Sequence, residues 1–473
     1  MLSSRWIIGG ALALYLLSLL AAGLLTSSRT KSFKDYVTGG GAIPPWMLAL
    51  SFIANFISSN SFVGHAAQSY QAGLIWCVSA VIIVACCALS WHVFAPRFAA
   101  FARDHDATTL PDFFAKRFGS TRLAFLVHVI VVLTTLLYVL AILRGTALVI
   151  VSGLGLSYEV ALLLLYAVTL VYCILGGLWA DVVTDVIQTF ILVIGAVALF
   201  VAVLIAPVPD GLATAPPLRP PPLGYVLAIG FSGGVKLLSD PKQVMVFYAF
   251  KDKASVRLFR VVGPLLLLVI YACLFPVGYL ARRLVSSVPD LERLVPMLVF
   301  ERHLLGVWFG ALFLIALFAA SMSSLDSSLL IIASCIEKHA VAPIVGGEPS
   351  ARRTRLALFG VTTVALLLSL RPLGGIIALT AFAGALLGST LLPAICVGFT
   401  RAPVPARGVF LSICAGFVGA IVGKLAPGAI GIKSPWFQDI FIGLLASSAV
   451  LAKAVWSARR AKVGGAAAGA IGT

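Results

Sequence analysis

Oxygen-bearing side chains cluster in the stretch Ala-Ala-Ser-Met-Ser-Ser-Leu-Asp-Ser at residues 319–327. Ala320, Ser323, Ser324 and Ser327 recur at i, i+3, i+4 and i+7, one face of a helix, and Asp326 lies beside that face. Hydroxyls and carboxylates are hard oxygen donors suited to a small hard cation. A serine face used only for close helix packing is the plainer alternative. A second acid, Asp185, sits in Gly-Gly-Leu-Trp-Ala-Asp-Val-Val-Thr-Asp-Val-Ile-Gln-Thr-Phe with Thr184 and Gln188 near it. An ionised carboxylate in low dielectric needs a partner charge or takes up a proton, so Asp185 marks an ion site, a proton site or a structural salt bridge. Two cations are equally out of place. Arg144 lies in Leu-Ala-Ile-Leu-Arg-Gly-Thr-Ala, where it requires a carboxylate of the protein or of a ligand. Lys236 lies in Gly-Phe-Ser-Gly-Gly-Val-Lys-Leu-Leu, where it either faces a cavity, snorkels, or pairs with Asp185 or Asp326.

The elements that carry these residues follow from composition. Of 473 residues, 61% are hydrophobic and only 11% charged, against roughly 25% charged in soluble domains. Lipid must therefore be the solvent for much of the chain, which excludes a water-soluble enzyme. About 13 segments are apolar enough to span a bilayer at about 20 residues each. The first, near 4–26, reads as a retained helix, since its apolar run exceeds a signal-peptide core. The formal charge of +17 resolves by topology. About 22 of the Lys and Arg residues fall in one set of alternate loops and about 9 in the other, a positive-inside signature rather than a nucleic-acid surface. The amino terminus is then expected outside and the carboxyl terminus in the cytoplasm, with 457–473 a disordered cytoplasmic tail.

Eight cysteines, none in a CxxC pair, read as small buried hydrophobes. No phosphate-cradling GxxxxGK[ST] loop is present, which argues against an ATP-driven pump in this chain. His65, His92 and His128 fall on separate spans with no nucleophile and base beside them, so no enzyme is indicated.

Two spans look interrupted. The second centres on Ser58-Ser59-Asn60-Ser61, whose side chains compete with the helical backbone for hydrogen bonds. The seventh contains Gly230, Gly233 and Gly234, which permit non-helical backbone, and Pro241, which lacks a donor. Broken spans at matching places in two halves, 43–206 and 223–399, are the pattern of inverted-repeat transporters, whose half-helix ends bind ions. The expected organisation is a first helix and loop (1–42), repeat one (43–206), an external loop (207–222), repeat two (223–399), two further helices (400–456) and the tail.

At these residues the chain resembles the sodium/solute symporter family, which includes bacterial proline and sialic acid transporters. Similar segments are KSFKDYVTGGG (31–41), TLPDFFAKRFG (109–119), GLSYEV (155–160), GGLWADVVTDVIQT (176–189), the elements around 240–249, and SMSSLDSSLL (321–330). The resemblance implies an all-α, LeuT-like fold with a five-plus-five inverted-repeat core, and uptake of a small solute coupled to sodium. It implies a main sodium site at the carbonyls of Ala54, Ile57 and Ala320 and the hydroxyls of Ser323 and Ser324. A second sodium or proton site falls on Asp185, Asp326 and Ser327, although Asp326 departs from the family's small or hydroxyl residue there. Arg144 resembles the arginine with which sialic acid transporters face their solute's carboxylate. Together with Lys236, Ser58 and Ser61 it makes a small organic anion or amino acid the expected cargo. A proton-coupled symporter of the same fold and a sodium-conducting channel are the alternatives. The expected setting is the bacterial inner membrane, multi-pass, with the protein functioning as a monomer.

Overall fold

The computed structural model describes residues 2–470 apart from 211–214, 252, 303, 305, 372–373, 401, 403, 431–433 and 435. Among the described residues all regular structure is helical. The helices used below are α1 (Leu2–Thr26), α2 (Pro45–Phe56), α3 (His65–Ala72), α4 (Cys77–Leu89), α5 (Leu110–Phe118), α6 (Thr121–Leu154) and α7 (Tyr158–Ile205). They continue with α8 (Leu223–Ser239), α9 (Pro241–Ala249), α10 (Val262–Leu274), α11 (Gly306–Ile336), α12 (Ala351–Ser369), α13 (Ile376–Gly398), α14 (Ala406–Ile430) and α15 (Asp439–Ala470).

Local chemistry sets the helix ends. Pro45 opens α2, where its missing N–H costs nothing. The Ser120 and Ser157 hydroxyls cap α6 and α7 by accepting from the amides of Leu123 and Val160. Gly119 and Gly155 close α5 and α6 in the left-handed conformation. Large apolar side chains face outward, among them Leu14, Val81, Phe190 and Leu265, each more than half exposed. Apolar exposure on this scale requires hydrocarbon around it.

Among the described residues nine helices are long and apolar enough to cross a membrane, or ten if the bent pair Phe33–Gly41 and Pro45–Phe56 is one span. That is fewer than the 13 apolar segments, for a physical reason. Broken spans divide into halves too short to cross alone. Two of the apolar segments, 157–177 and 180–206, are helices that meet at a kink at the non-helical Gly177 (φ 53°, ψ −150°), and the part Tyr158–Val171 is too short to count as a span. A side chain at Gly177 would meet the ring and carbonyl of Tyr36 at 2.7 Å, and the Tyr36 hydroxyl donates to the Cys173 carbonyl just before the kink (2.8 Å). The tail expected to be disordered instead continues α15 as far as Ala470, alanine being the strongest helix former; residues 471–473 lie outside the described set.

The second span breaks where expected: α2 ends at Phe56, Ile57 turns extended (ψ 129°), and a wide turn over Asn60–Gly64 leads into α3. The seventh breaks at the expected Pro241 and not at its glycines. α8 is helical through Gly230, Gly233 and Gly234, and the single extended residue Asp240 separates it from α9, which Pro241 opens and the Asp240 carboxylate caps. Those glycines serve packing, since a Cβ on them would strike Ile82, Ile83 and Cys86 at 2.6–2.9 Å. Around these breaks, α11 packs against α1, α6 and α7, while α8 lies on α4 and α13.

A polar clasp ties α5 to the end of α11. Asp112 completes a capping box with Thr109, accepts from the amides of Thr108 and Thr109 (2.9 Å each), and pairs with Lys338 at 2.7 Å. Burial alone would raise its pKa, but Lys338, His339 and the Thr108 amide outweigh burial and hold the carboxyl below the ordinary carboxylate range. Its stabilising contribution is therefore present above the unfolded-state pKa and lost only as pH falls through the lowered value. Asp112→Asn is expected to cost about 1–3 kcal/mol, read as a lower midpoint for loss of the monodisperse protein on heating.

Candidate functional site

Ending α2 at Phe56 leaves the carbonyls of its last turn without intrahelical donors. The hydroxyl face of α11 meets them. Ser323 Oγ donates to the Ala54 carbonyl at 2.9 Å and lies 3.3 Å from the Ala320 carbonyl. Ser324 Oγ lies 3.0 Å from the carbonyls of both Asn55 and Ile57. The five residues Ala54, Ile57, Ala320, Ser323 and Ser324 thus converge, and all are fully buried. Neutral carbonyl and hydroxyl oxygens at a helix C-terminus form a donor set suited to a small monovalent cation, which the negative end of the α2 dipole also favours.

Beside this shell lies an acidic network. Asp185 Oδ2 accepts from the Ser51 hydroxyl at 2.5 Å and from Asn55 Nδ2 at 3.3 Å, while Oδ1 is buried without a protein partner. The Ser327 hydroxyl lies 2.8 Å from each carboxylate oxygen of Asp181 and also donates towards Asn55 Oδ1. Asp185 and Ser327 are therefore joined through Asn55, and the acid that completes the network is Asp181, which the sequence-based set lacks. Asp181 precedes Asp185 by one helical turn, a spacing that puts both on one face of α7.

Asp326 does not share this network. Its Oδ1 accepts from the Ser327 amide at 2.8 Å, its Oδ2 is buried with no partner, and among the described residues no hydrogen bond joins it to Asp181 or Asp185. The helix face explains this: Ser327 and Asp326 are successive residues and point about 100° apart.

A narrow cavity of about 40 Å³ lies at the α2–α3 break. Its polar lining includes Ser58, Asn60, Ser61, Tyr138, Lys236 and Thr380, and its apolar wall includes Phe56, Ile83, Ile229 and Ile377. Lys236 Nζ stands 3.3 Å from the centre of the Tyr138 ring and 3.9 Å from the Asp240 carboxylate, too far for a direct hydrogen bond. Asn60 Oδ1 and Thr380 Oγ1 are buried without protein partners. Polar groups left open around an apolar wall are the features of a small-molecule site.

Arg144 is not among the residues lining this cavity. It pairs with Glu292 at 3.0 Å and donates to the Gly374 carbonyl, while Glu292 Oε1 accepts from the Ile376 amide at 2.8 Å. The arginine therefore fastens α6 to the turn Leu291–Arg293 and to the start of α13. Of the four expected solute residues, Ser58, Ser61 and Lys236 come together and Arg144 stands apart.

The same architecture occurs in a Na+-coupled sialic acid symporter solved in a substrate-bound outward-open state, with a TM-score of 0.79 at 19% identity over 96% of this chain and 97% of that one. Among curated proteins, the osmoregulated proline transporter OpuE of Bacillus subtilis is 27% identical over 422 residues, covering 81% of this chain and 82% of its own length. The sodium/proline symporter of Escherichia coli is 24% identical over 435 residues, 87% and 86% of the two chains. The family model described as the sodium:solute symporter family matches residues 36–416. The protein is thus a multi-pass membrane transporter and not an enzyme, sodium is its coupling ion, and the chain belongs to the sodium:solute symporter family.

Proposed function

We propose that this symporter imports a small solute bearing a carboxylate, with sodium bound by Ala54, Ile57, Ala320, Ser323 and Ser324 and the solute held in the adjoining cavity. The observation that carries the solute class is Lys236: a buried ammonium lining the cavity, stacked on Tyr138 and without a direct carboxylate hydrogen bond. A cation so placed favours an anionic group. Ser58, Ser61, Asn60 and Thr380 supply further hydrogen-bonding atoms, and the apolar wall suits a compact hydrocarbon body. Proline and sialic acid, the solutes named for the similar transporters, both bear a carboxylate.

Asp181, Asp185, Asn55 and Ser327 constitute a second cation site in this reading, and Arg144 with Glu292 fastens α6 to the start of α13. Transport runs by alternating access, sodium entering from outside and favouring the state in which the solute site is complete, with the protein working as a monomer whose carboxyl terminus is cytoplasmic. Each sodium ion moving down about 100 mV contributes about 2.3 kcal/mol to accumulation.

The test is thermal stabilisation of the purified protein by a panel of carboxylic acids, amino acids and their neutral amides, each in sodium and in choline chloride. At least one carboxylate is expected to raise the melting point in sodium and not in choline, while its amide does not. Stabilisation by amides as strong as by acids overturns the anionic assignment. Equal stabilisation in choline at lowered pH favours coupling to protons, and sodium currents without solute favour a channel.

A further inference from the structure

Lys242, the second residue of α9, is fully buried, an expensive place for an ammonium. Its Nζ donates to the Asn55 carbonyl at 3.0 Å and stands 4.3 Å from the centre of the Tyr138 ring. Among the described residues no carboxylate lies within salt-bridge distance of it. The negative end of α2 holds the charge, because Asn55 is in the last turn of that helix and its carbonyl has no helical donor, and Asp181 and Asp185 attract it from beyond ion-pair distance. The π face of Tyr138 adds to this.

The same helix end supplies the carbonyls of the main cation shell. The Asn55 carbonyl is shared, accepting from Lys242 and lying 3.0 Å from the Ser324 hydroxyl, which lies equally close to the Ile57 carbonyl. The tethered ammonium and a sodium ion in the shell therefore draw on one set of partial charges. Two like charges held by carbonyls of one helical turn inside a protein repel strongly enough to change an affinity about tenfold or more. We infer that Lys242 is a positioning residue that competes with sodium for the C-terminal carbonyls of α2 and so sets the sodium concentration at which the transporter loads.

This inference rests on the sodium shell assigned above, and the test separates the two. Thermal stability of the purified full chain is measured against sodium chloride concentration, with choline chloride holding the ionic strength constant. Lys242→Met and Lys242→Gln remove the charge, the second keeping a donor for the Asn55 carbonyl, and Lys242→Arg keeps the charge. The charge-free variants are expected to reach half-maximal stabilisation at about one tenth of the wild-type sodium concentration or less, and Lys242→Arg close to the wild-type value. If Lys242→Met is poorly folded, Lys242→Gln decides alone. A sodium requirement that is unchanged or raised in the charge-free variants overturns the inference, since a merely structural lysine predicts no gain in affinity. Ser324→Ala is measured in parallel: full sodium stabilisation in that variant overturns the shell itself, whatever Lys242 does.

Discussion

Sodium-driven accumulation of solute is expected to fall by about 100-fold in Ser324→Ala. The hydroxyl lies 3.0 Å from two carbonyls at the helix break, and removing it takes away one oxygen of the proposed sodium shell. Loss of a contact to a buried charge costs about 1.5–3 kcal/mol, and about 3 kcal/mol of lost binding corresponds to more than 100-fold in affinity. The measurement is uptake of labelled solute into vesicles under an imposed sodium gradient, with the half-saturating sodium concentration determined at saturating solute. Ser324→Thr, which keeps the oxygen but adds a methyl to a closed site, is expected to fall between the two. Wild-type sodium dependence in Ser324→Ala would falsify the assignment of this hydroxyl to the ion.

The second large effect is expected at Lys236. Lys236→Met keeps the length and apolar stem of the side chain and removes its charge. Loss of a charge-assisted contact of this kind costs about 2–5 kcal/mol, so affinity for a carboxylate solute should drop by at least 30-fold. Sodium stabilisation in the absence of solute is expected to remain, because Lys236 lines the cavity and, among the described residues, no hydrogen bond or ion pair joins it to Ser323 or Ser324. A neutral amide of the same solute serves as the control, and its binding should change little between wild type and variant. Equal losses for acid and amide would assign Lys236 to cavity shape instead of charge.

How much of this was readable beforehand depended on whether the relevant partners are close in sequence. The break at Ile57–Ser58 was legible, because a run of Ser and Asn inside an apolar span has an evident competitor for the helical backbone. The serine face of α11 was legible from its periodicity, and the convergence of Ala54, Ile57, Ala320, Ser323 and Ser324 was expected from the family resemblance alone. The second break was legible in Pro241 but not in the glycines named with it. Three glycines attract attention as flexible points, yet here they let α8 approach α4, and the helix stops at an aspartate whose carboxylate caps the next helix. Asp181 carried its signal in a four-residue spacing, but an acid near a helix entry reads as interfacial until Ser327 is brought against it by packing. Arg144 was the hardest. Its partner, Glu292, lies in a short turn between two distant helices, and no local pattern links an arginine to such a carboxylate.

The hydroxyls of Ser323 and Ser324 already serve the carbonyls at the end of α2 as hydrogen-bond donors. A carrier that delivers ion and cargo on one stroke has to reset on the next with neither aboard, and stranded carbonyls would make that reset the slowest leg. Here the protein supplies its own donors for the empty return, by rotation of two hydroxyl protons. The turnover rate need not be limited by the very groups proposed to grip the ion, so tight loading and fast recycling can coexist in one shell.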